Sequence, residues 1–203
     1  MSNTQQTIEK LVATAGEEFR RYGYGGTDVN RIARRSGMAP TTFYRCFKDK
    51  LDIFLAVYQA WAAREKLLMR VLMTLQAEDG ELVEACVKHH RDHLPFRRSV
   101  RQLGYDEPRV RQARAQTRLE TIAEIRAWRG DRVADDGRMA SDLIQLERLS
   151  EALAEGEFAD MGLDDAQARR DLAAVLRRFR PAATRKAVVP QNDALPAEAA
   201  LSA

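Results

Sequence analysis

Residues 27–50 read TDVNRIARRSGMAPTTFYRCFKDK, and the punctuation of this stretch decides the fold. Thr27 can cap a short helix whose inward positions are Val29, Ile32 and Ala33. Gly37, just after Ser36, supplies the left-handed exit that a side chain would resist. Pro40 suits the first turn of a second helix, where its missing N–H is not needed, and Phe43 and Phe47 then share one face. Two short helices flank a tight turn. Met38, Phe43 and Phe47 give the second helix an apolar back, so its opposite face is left exposed.

On the N-terminal side, Ile8, Leu11, Val12, Ala15, Phe19 and Tyr22 recur at three- and four-residue spacings and predict an amphipathic helix ending near Gly23. On the C-terminal side the pattern stays helical from Lys48 to about Gln76, carrying Ile53, Phe54, Val57, Trp61, Leu68, Val71, Leu72 and Leu75. Asp79 and Gly80 break it. Further helices are expected at 81–93, 96–104, 106–129, 139–156 and 164–179, separated by Pro95, Gly104, Pro108, Gly130, Gly137 and Gly162. From Pro181 to Ala203, prolines and alanines without apolar periodicity read as a mobile tail. The expected architecture is all-α: a three-helix head over 1–50, joined by a long helix to a helical bundle over 51–180, and the tail over 181–203.

Of 203 residues, 45% are hydrophobic and 31% charged, a balance that allows a core without disulfides. The formal net charge is +3, and residues 1–60 hold nine Lys or Arg against six Asp or Glu while the remainder is balanced. A basic excess confined to the N-terminal part points to a polyanionic partner there. No apolar run reaches membrane-spanning length and no signal peptide is visible, so a cytoplasmic protein is expected, with Cys46 and Cys86 as free thiols.

With its flanking helices, the 27–50 stretch resembles the DNA-binding signature of the tetracycline-repressor (TetR) family of helix-turn-helix regulators. Thr27, Ile32, Ala33, Gly37, Phe43, Tyr44, Phe47 and Lys50 fall at the positions of that pattern. The resemblance covers about residues 8–58, and beyond them extends only to the order of helices. It implies a recognition helix in the major groove of double-stranded DNA. Thr27, Thr42, Tyr44, Arg45, Lys48 and Lys50 would grip phosphates. Pro40, Thr41 and Tyr44, helped by Asn30, would meet base edges. Two positions depart from the pattern: Ala39 stands where the family often has a capping Ser, and Cys46 where an aromatic residue or His is usual.

The resemblance further implies a homodimeric repressor that leaves a palindromic operator when a small molecule binds its helical domain. Leu143, Leu146, Leu149, Leu153, Leu172, Val175, Leu176 and Phe179 give the last two helices apolar faces, expected to form a four-helix dimer interface. Trp61, Met69, Met73, Tyr105 and Trp128 could line an effector cavity between helices, or be plain core. His89 and His93 share a helix face at i, i+4 and read either as part of that pocket or as a solvated helix end. A metal is disfavoured there by neighbouring Lys88 and Arg91. Arg109, Arg111, Arg114 and Arg118, with Glu120 and Glu124, read as a solvated, salt-bridged helix face. No Gly-rich phosphate loop, nucleophile elbow or paired acid and base is recognisable, so neither an enzyme nor a cofactor is expected.

Overall fold

The computed structural model describes residues 3–129 and 135–180, and among them it contains helices and no strand. The helices are α1 (Asn3–Tyr22), α2 (Val29–Arg35), α3 (Pro40–Cys46), α4 (Lys50–Thr74), α5 (Asp79–Arg91), α6 (Leu94–Asp106), α7 (Pro108–Arg129), α8 (Asp136–Glu155), α9 (Glu157–Asp160) and α10 (Ala166–Phe179). The expected tail over 181–203 lies outside the described residues.

Local chemistry sets most of the boundaries. Gly23, at φ 67°, ends α1 by donating its N–H to the Phe19 carbonyl at 2.9 Å. Gly37, at φ 70°, makes the turn after α2. The cap of α2 is Asp28 rather than Thr27: the Asp28 carboxylate accepts from the Arg31 N–H at 2.8 Å, while Thr27 is buried with its hydroxyl turned to α1. Asp49 likewise caps α4, accepting from the Asp52 N–H at 2.7 Å, and the Asp52 carboxylate accepts from the Lys48 N–H at 3.0 Å. These two bonds start α4 at Lys50, two residues later than expected. The short α9 follows Gly156, at φ 81°, and was not signalled by sequence periodicity.

Two apolar cores form. The first gathers Leu11, Ala15 and Phe19 of α1, Ile32 and Ala33 of α2, and Phe43 of α3 around Ile53, Phe54 and Val57 of α4, with Phe96 and Val100 of α6 closing it. Phe19, Phe54 and Phe96 meet through ring contacts of 5.1 and 5.3 Å. The second core joins Met73 of α4, Leu82 and Val87 of α5, Ile122 and Ile125 of α7, Met139 and Leu153 of α8, and Leu172, Val175, Leu176 and Phe179 of α10. Helix α4 contributes to both, which fixes the N-terminal head to the body through one continuous backbone.

Two expectations are corrected by this packing. Leu153, Leu172, Val175, Leu176 and Phe179 are buried inside the chain's own core, because α8 packs on α5 and α10. They are therefore not free to meet a second copy. The arginines of α7 depart from a solvated face in part: Arg114 and Arg118 turn inward to Glu147 of α8, while exposed Arg109 keeps a salt-bridged place, meeting Asp49 and Asp52 of the head at 3.6 and 3.1 Å.

Candidate nucleic-acid interface and internal cavity

The seven residues of α3 make a rod of roughly 10 Å at 1.5 Å per residue, short enough to enter a groove end-on or lengthwise. Pro40 occupies its first turn, and Ala39 caps it through the backbone alone. Its back is anchored by Phe43, fully buried, and by Phe47 just beyond it. Burying a phenylalanine contributes about 1.5 to 3 kcal/mol, so these two rings hold the helix against the head. Its front is Pro40, Thr41, Tyr44 and Arg45, all exposed, with Lys48 exposed after the helix end and Asn30 exposed on α2. Thr42 and Cys46 are half-buried. Tyr44 is 59% exposed and rests its ring edge-on against Phe43 at 5.4 Å. Among the described residues, Arg34, Arg45 and Lys48 form no ion pair, so their charges face solvent unopposed.

Thr27 and Lys50, expected among the phosphate partners, are turned to internal ones. The Thr27 hydroxyl donates to Glu18 Oε2 at 2.9 Å. Lys50 Nζ donates to the carbonyls of Tyr24 and Thr27 at 2.9 and 3.1 Å and lies 4.0 Å from the Tyr24 ring centre. Lysine thus clips the loop between α1 and α2 onto the start of α4. Glu18, which sequence reading missed, is the other hub. It is fully buried in α1, receives Arg31 at 2.6 Å, and is bound by Arg35 and Thr27. Burial alone would raise its pKa, but the hydrogen bonds from Arg35 and Thr27 and the two guanidinium charges outweigh that and hold it below the ordinary value. The signal lay in its place on the stripe that also carries Leu11, Ala15 and Phe19: a carboxylate on a buried face needs cations, and α2 brings them.

In the body, a cavity of about 470 Å³ opens between α4, α5, α6, α7, α8 and α10. Trp61, Met69, Met73 and Trp128 line it, and one end is apolar through Met73, Ile125, Leu143, Leu146, Leu176 and Phe179. The remaining pocket expectations are corrected. Tyr105 is 76% exposed near the end of α6. His89 and His93 stack with Trp61 and with each other, at 5.0 and 4.9 Å between ring centres, and it is His90, one position along the helix, that reaches the cavity. Nor are the histidines a solvated end: His90 is buried, and burial lowers the His89 pKa to about 4.

The other end of the cavity is polar and charged. Buried Arg97 bridges Glu147 and Glu151 of α8 at 2.9 and 2.6 Å, and its guanidinium lies 4.5 Å from the Trp61 ring centre. Glu147 also receives Arg114 at 3.0 Å and Arg118. Burial pushes the Glu147 pKa up, but the three arginines overrule it and hold it at about 2. His90 Nε2 meets Glu65 Oε1 at 3.1 Å. The hydrogen bond with His90 and the charge of Arg97 keep Glu65 below the ordinary carboxylate value against the opposing effect of burial. No helix of the described residues is long and apolar enough to cross a membrane.

Helix α6 ties this end to the head. Ser99 Oγ accepts from the Tyr24 N–H at 2.8 Å and donates to the Pro95 carbonyl at 2.8 Å.

Comparison with known proteins agrees with this layout. Residues 11–57 match the family of bacterial regulatory proteins described as the tetR family, a span that covers the head from α1 into α4. A tetR-family transcriptional regulator from Pectobacterium atrosepticum superposes with a TM-score of 0.57 at 20% identity, over 89% of this chain and 98% of that one. A second tetR-family regulator, from Mesorhizobium loti, gives 0.60 at 18% identity over 88% and 97%. These likenesses extend the shared fold from the head to the whole described body. No curated protein matches the sequence. Residues 11–57 thus carry a helix-turn-helix head that matches the tetR family in sequence, and beyond that head the likeness to these regulators is one of fold.

Proposed function

We propose that the chain is a homodimeric repressor that holds a palindromic operator and releases it when a small molecule fills the cavity. The observation that carries this is the joining of two features by one helix. Helix α4 begins beneath an exposed polar recognition face backed by Phe43 and Phe47, and continues as a wall of the cavity. Thr41 and Tyr44, with Asn30, would read base edges, while Thr42, Arg45, Lys48 and the remaining proton of the Lys50 ammonium would hold phosphates. A recognition helix of this length spans only a few base pairs, so two heads on a two-fold axis are needed for a specific site. With most of the leucine faces of α8 and α10 turned inward, the contact between copies falls to their outer sides, where Ile144 remains exposed. Such a protein acts in the cytoplasm, where its operator lies.

Selection of bound sites from random duplex DNA tests the DNA half: an inverted repeat should be recovered, and light scattering should give a dimer on it. A monomer at micromolar concentration, or no enriched sequence, would exclude the function. A compound that occupies the cavity should weaken operator binding, and by linkage the operator should weaken the compound by the same factor.

A further inference from the structure

We propose that the cavity selects an uncharged, mostly apolar molecule carrying a carbonyl oxygen that docks on Trp61 Nε1 and Arg97 Nε, an inference that rests on the effector-site function above. Both nitrogens are buried, and among the described residues neither has a hydrogen-bond partner. Trp61 is 6% and Arg97 3% exposed, and both residues line the cavity. Native proteins rarely leave such donors unpaired. Indole and guanidinium nitrogens only donate, so what is missing is an acceptor. His90 Nδ1 is unpaired as well, but its role depends on the tautomer and it decides nothing here.

The acceptors that the fold itself supplies are already engaged. Glu147 takes Arg97, Arg114 and Arg118; Glu151 takes Arg97; Glu65 takes His90. The same carboxylates set the charge of the head group. Three carboxylates, Glu147, Glu65 and Glu151, already act on Arg97, so a ligand anion docked on its Nε would lie beside all three and be repelled by them. A cation could not accept from either donor. An uncharged carbonyl, as in a ketone, ester or lactone, satisfies the donors without disturbing the ion pairs. Met73, Leu143, Leu176 and Phe179 offer apolar contact to the rest of the molecule, beside Lys66 and Arg70, whose charges are paired with Glu124. At about 30 Å³ for each water molecule of the liquid, the cavity of about 470 Å³ has room for roughly 15 waters, enough for a small organic molecule.

The only two tryptophans of the chain, Trp61 and Trp128, both line the cavity and report its occupancy by fluorescence. The test measures binding of benzylacetone, butylbenzene, phenylbutyrate and phenylbutylamine to the full chain and to Trp61→Phe, with Trp128 as the reporter common to both. Circular dichroism confirms that the variant keeps its helices. Phenylalanine preserves a ring but removes the N–H. The variant should weaken benzylacetone by roughly 2- to 10-fold more than it weakens butylbenzene, the range expected for one lost hydrogen bond. Equal effects on the two probes would overturn the carbonyl head while leaving the cavity as a binding site. Tighter binding of phenylbutyrate than of benzylacetone would overturn its neutrality, and a loss for phenylbutylamine matching that for the ketone would overturn acceptance by Trp61. If none of the four probes binds, the effector-site function fails with it.

Discussion

Replacing Lys50 by methionine keeps an unbranched apolar stem and removes the ammonium that clips the α1–α2 loop. Two charge-assisted hydrogen bonds, to the carbonyls of Tyr24 and Thr27, are lost together with the contact to the Tyr24 ring. Hydrogen bonds to charged groups contribute about 1.5 to 3 kcal/mol each, and an exposed cation–π contact about 0.5 to 1. Lys50 is half-buried, so water recovers part of this at the freed carbonyls. A net loss of about 2 to 3 kcal/mol is expected. Urea unfolding followed by circular dichroism should show a lower midpoint with an unchanged slope, the mark of a stability change without a change in the surface exposed. Affinity should fall on every duplex, because the loop that leads into α2 loosens. If Lys50 also lends its third proton to a phosphate, the slope of log affinity against log salt falls by about 0.9 per contact as well. An unchanged urea midpoint alongside that lowered salt slope would refute the clip and leave Lys50 as a phosphate partner only.

The recognition face should divide into base and phosphate contacts: Thr41→Ala should relax base preference at symmetry-related positions by about 1 to 3 kcal/mol, with the salt slope unmoved. Tyr44→Phe, at an exposed hydroxyl, should leave stability within about 0.5 kcal/mol while weakening operator binding, as gel-shift titration would show. Acid should destabilise the body early: His89 is held at about 4 against an ordinary 6.5, so the unfolded chain takes up its proton first. Stability is therefore complete above 6.5 and declines as pH falls from there toward 4, by about 3 kcal/mol at most, and His89→Phe should flatten this stretch of the urea midpoint–pH curve. Ser99→Ala leaves the Tyr24 N–H without its acceptor and should shrink the factor by which a cavity ligand changes operator affinity, measured by titrating DNA with and without ligand.

The head was legible because its signals are local. Gly37 can take the left-handed turn whatever surrounds it, Pro40 can open a helix from its own ring geometry, and Phe43 and Phe47 declare a buried face by spacing. The cap at Thr27 failed for a tertiary reason: Glu18, nine residues earlier in the chain, captured its hydroxyl and left Asp28 to cap. The cavity was half legible. Trp61, Met69, Met73 and Trp128 lie on inward stripes, but choosing His89 and His93 by their i, i+4 pairing selected a face about 60 to 100° from that of His90. Its polar end could not be read at all. Charged residues on amphipathic helices are ordinarily solvated, and the inward turn of Arg97, Arg114 and Arg118 depends on Glu147 arriving from α8.

That polar end matters because of where α6 stands. Arg97 and Ser99 are two residues apart, hence about 200° apart around the helix, so one faces the cavity and the other the head. On the cavity side Arg97 is held by Glu147 and Glu151 and lies on Trp61. On the head side there is no slack: a Cβ added at Gly23 would lie 3.0 Å from Ser99 Oγ and 3.2 Å from the Pro95 carbonyl. A displacement of α6 at Arg97 therefore cannot be absorbed at its other face. It moves the α1–α2 loop, whose far end Lys50 and Glu18 tie to the start of α4 and to α2. A ligand changes DNA affinity only if it prefers one arrangement of this connection, and a molecule that pairs the free donors of Trp61 and Arg97 has its head group at the contact from which α6 is steered.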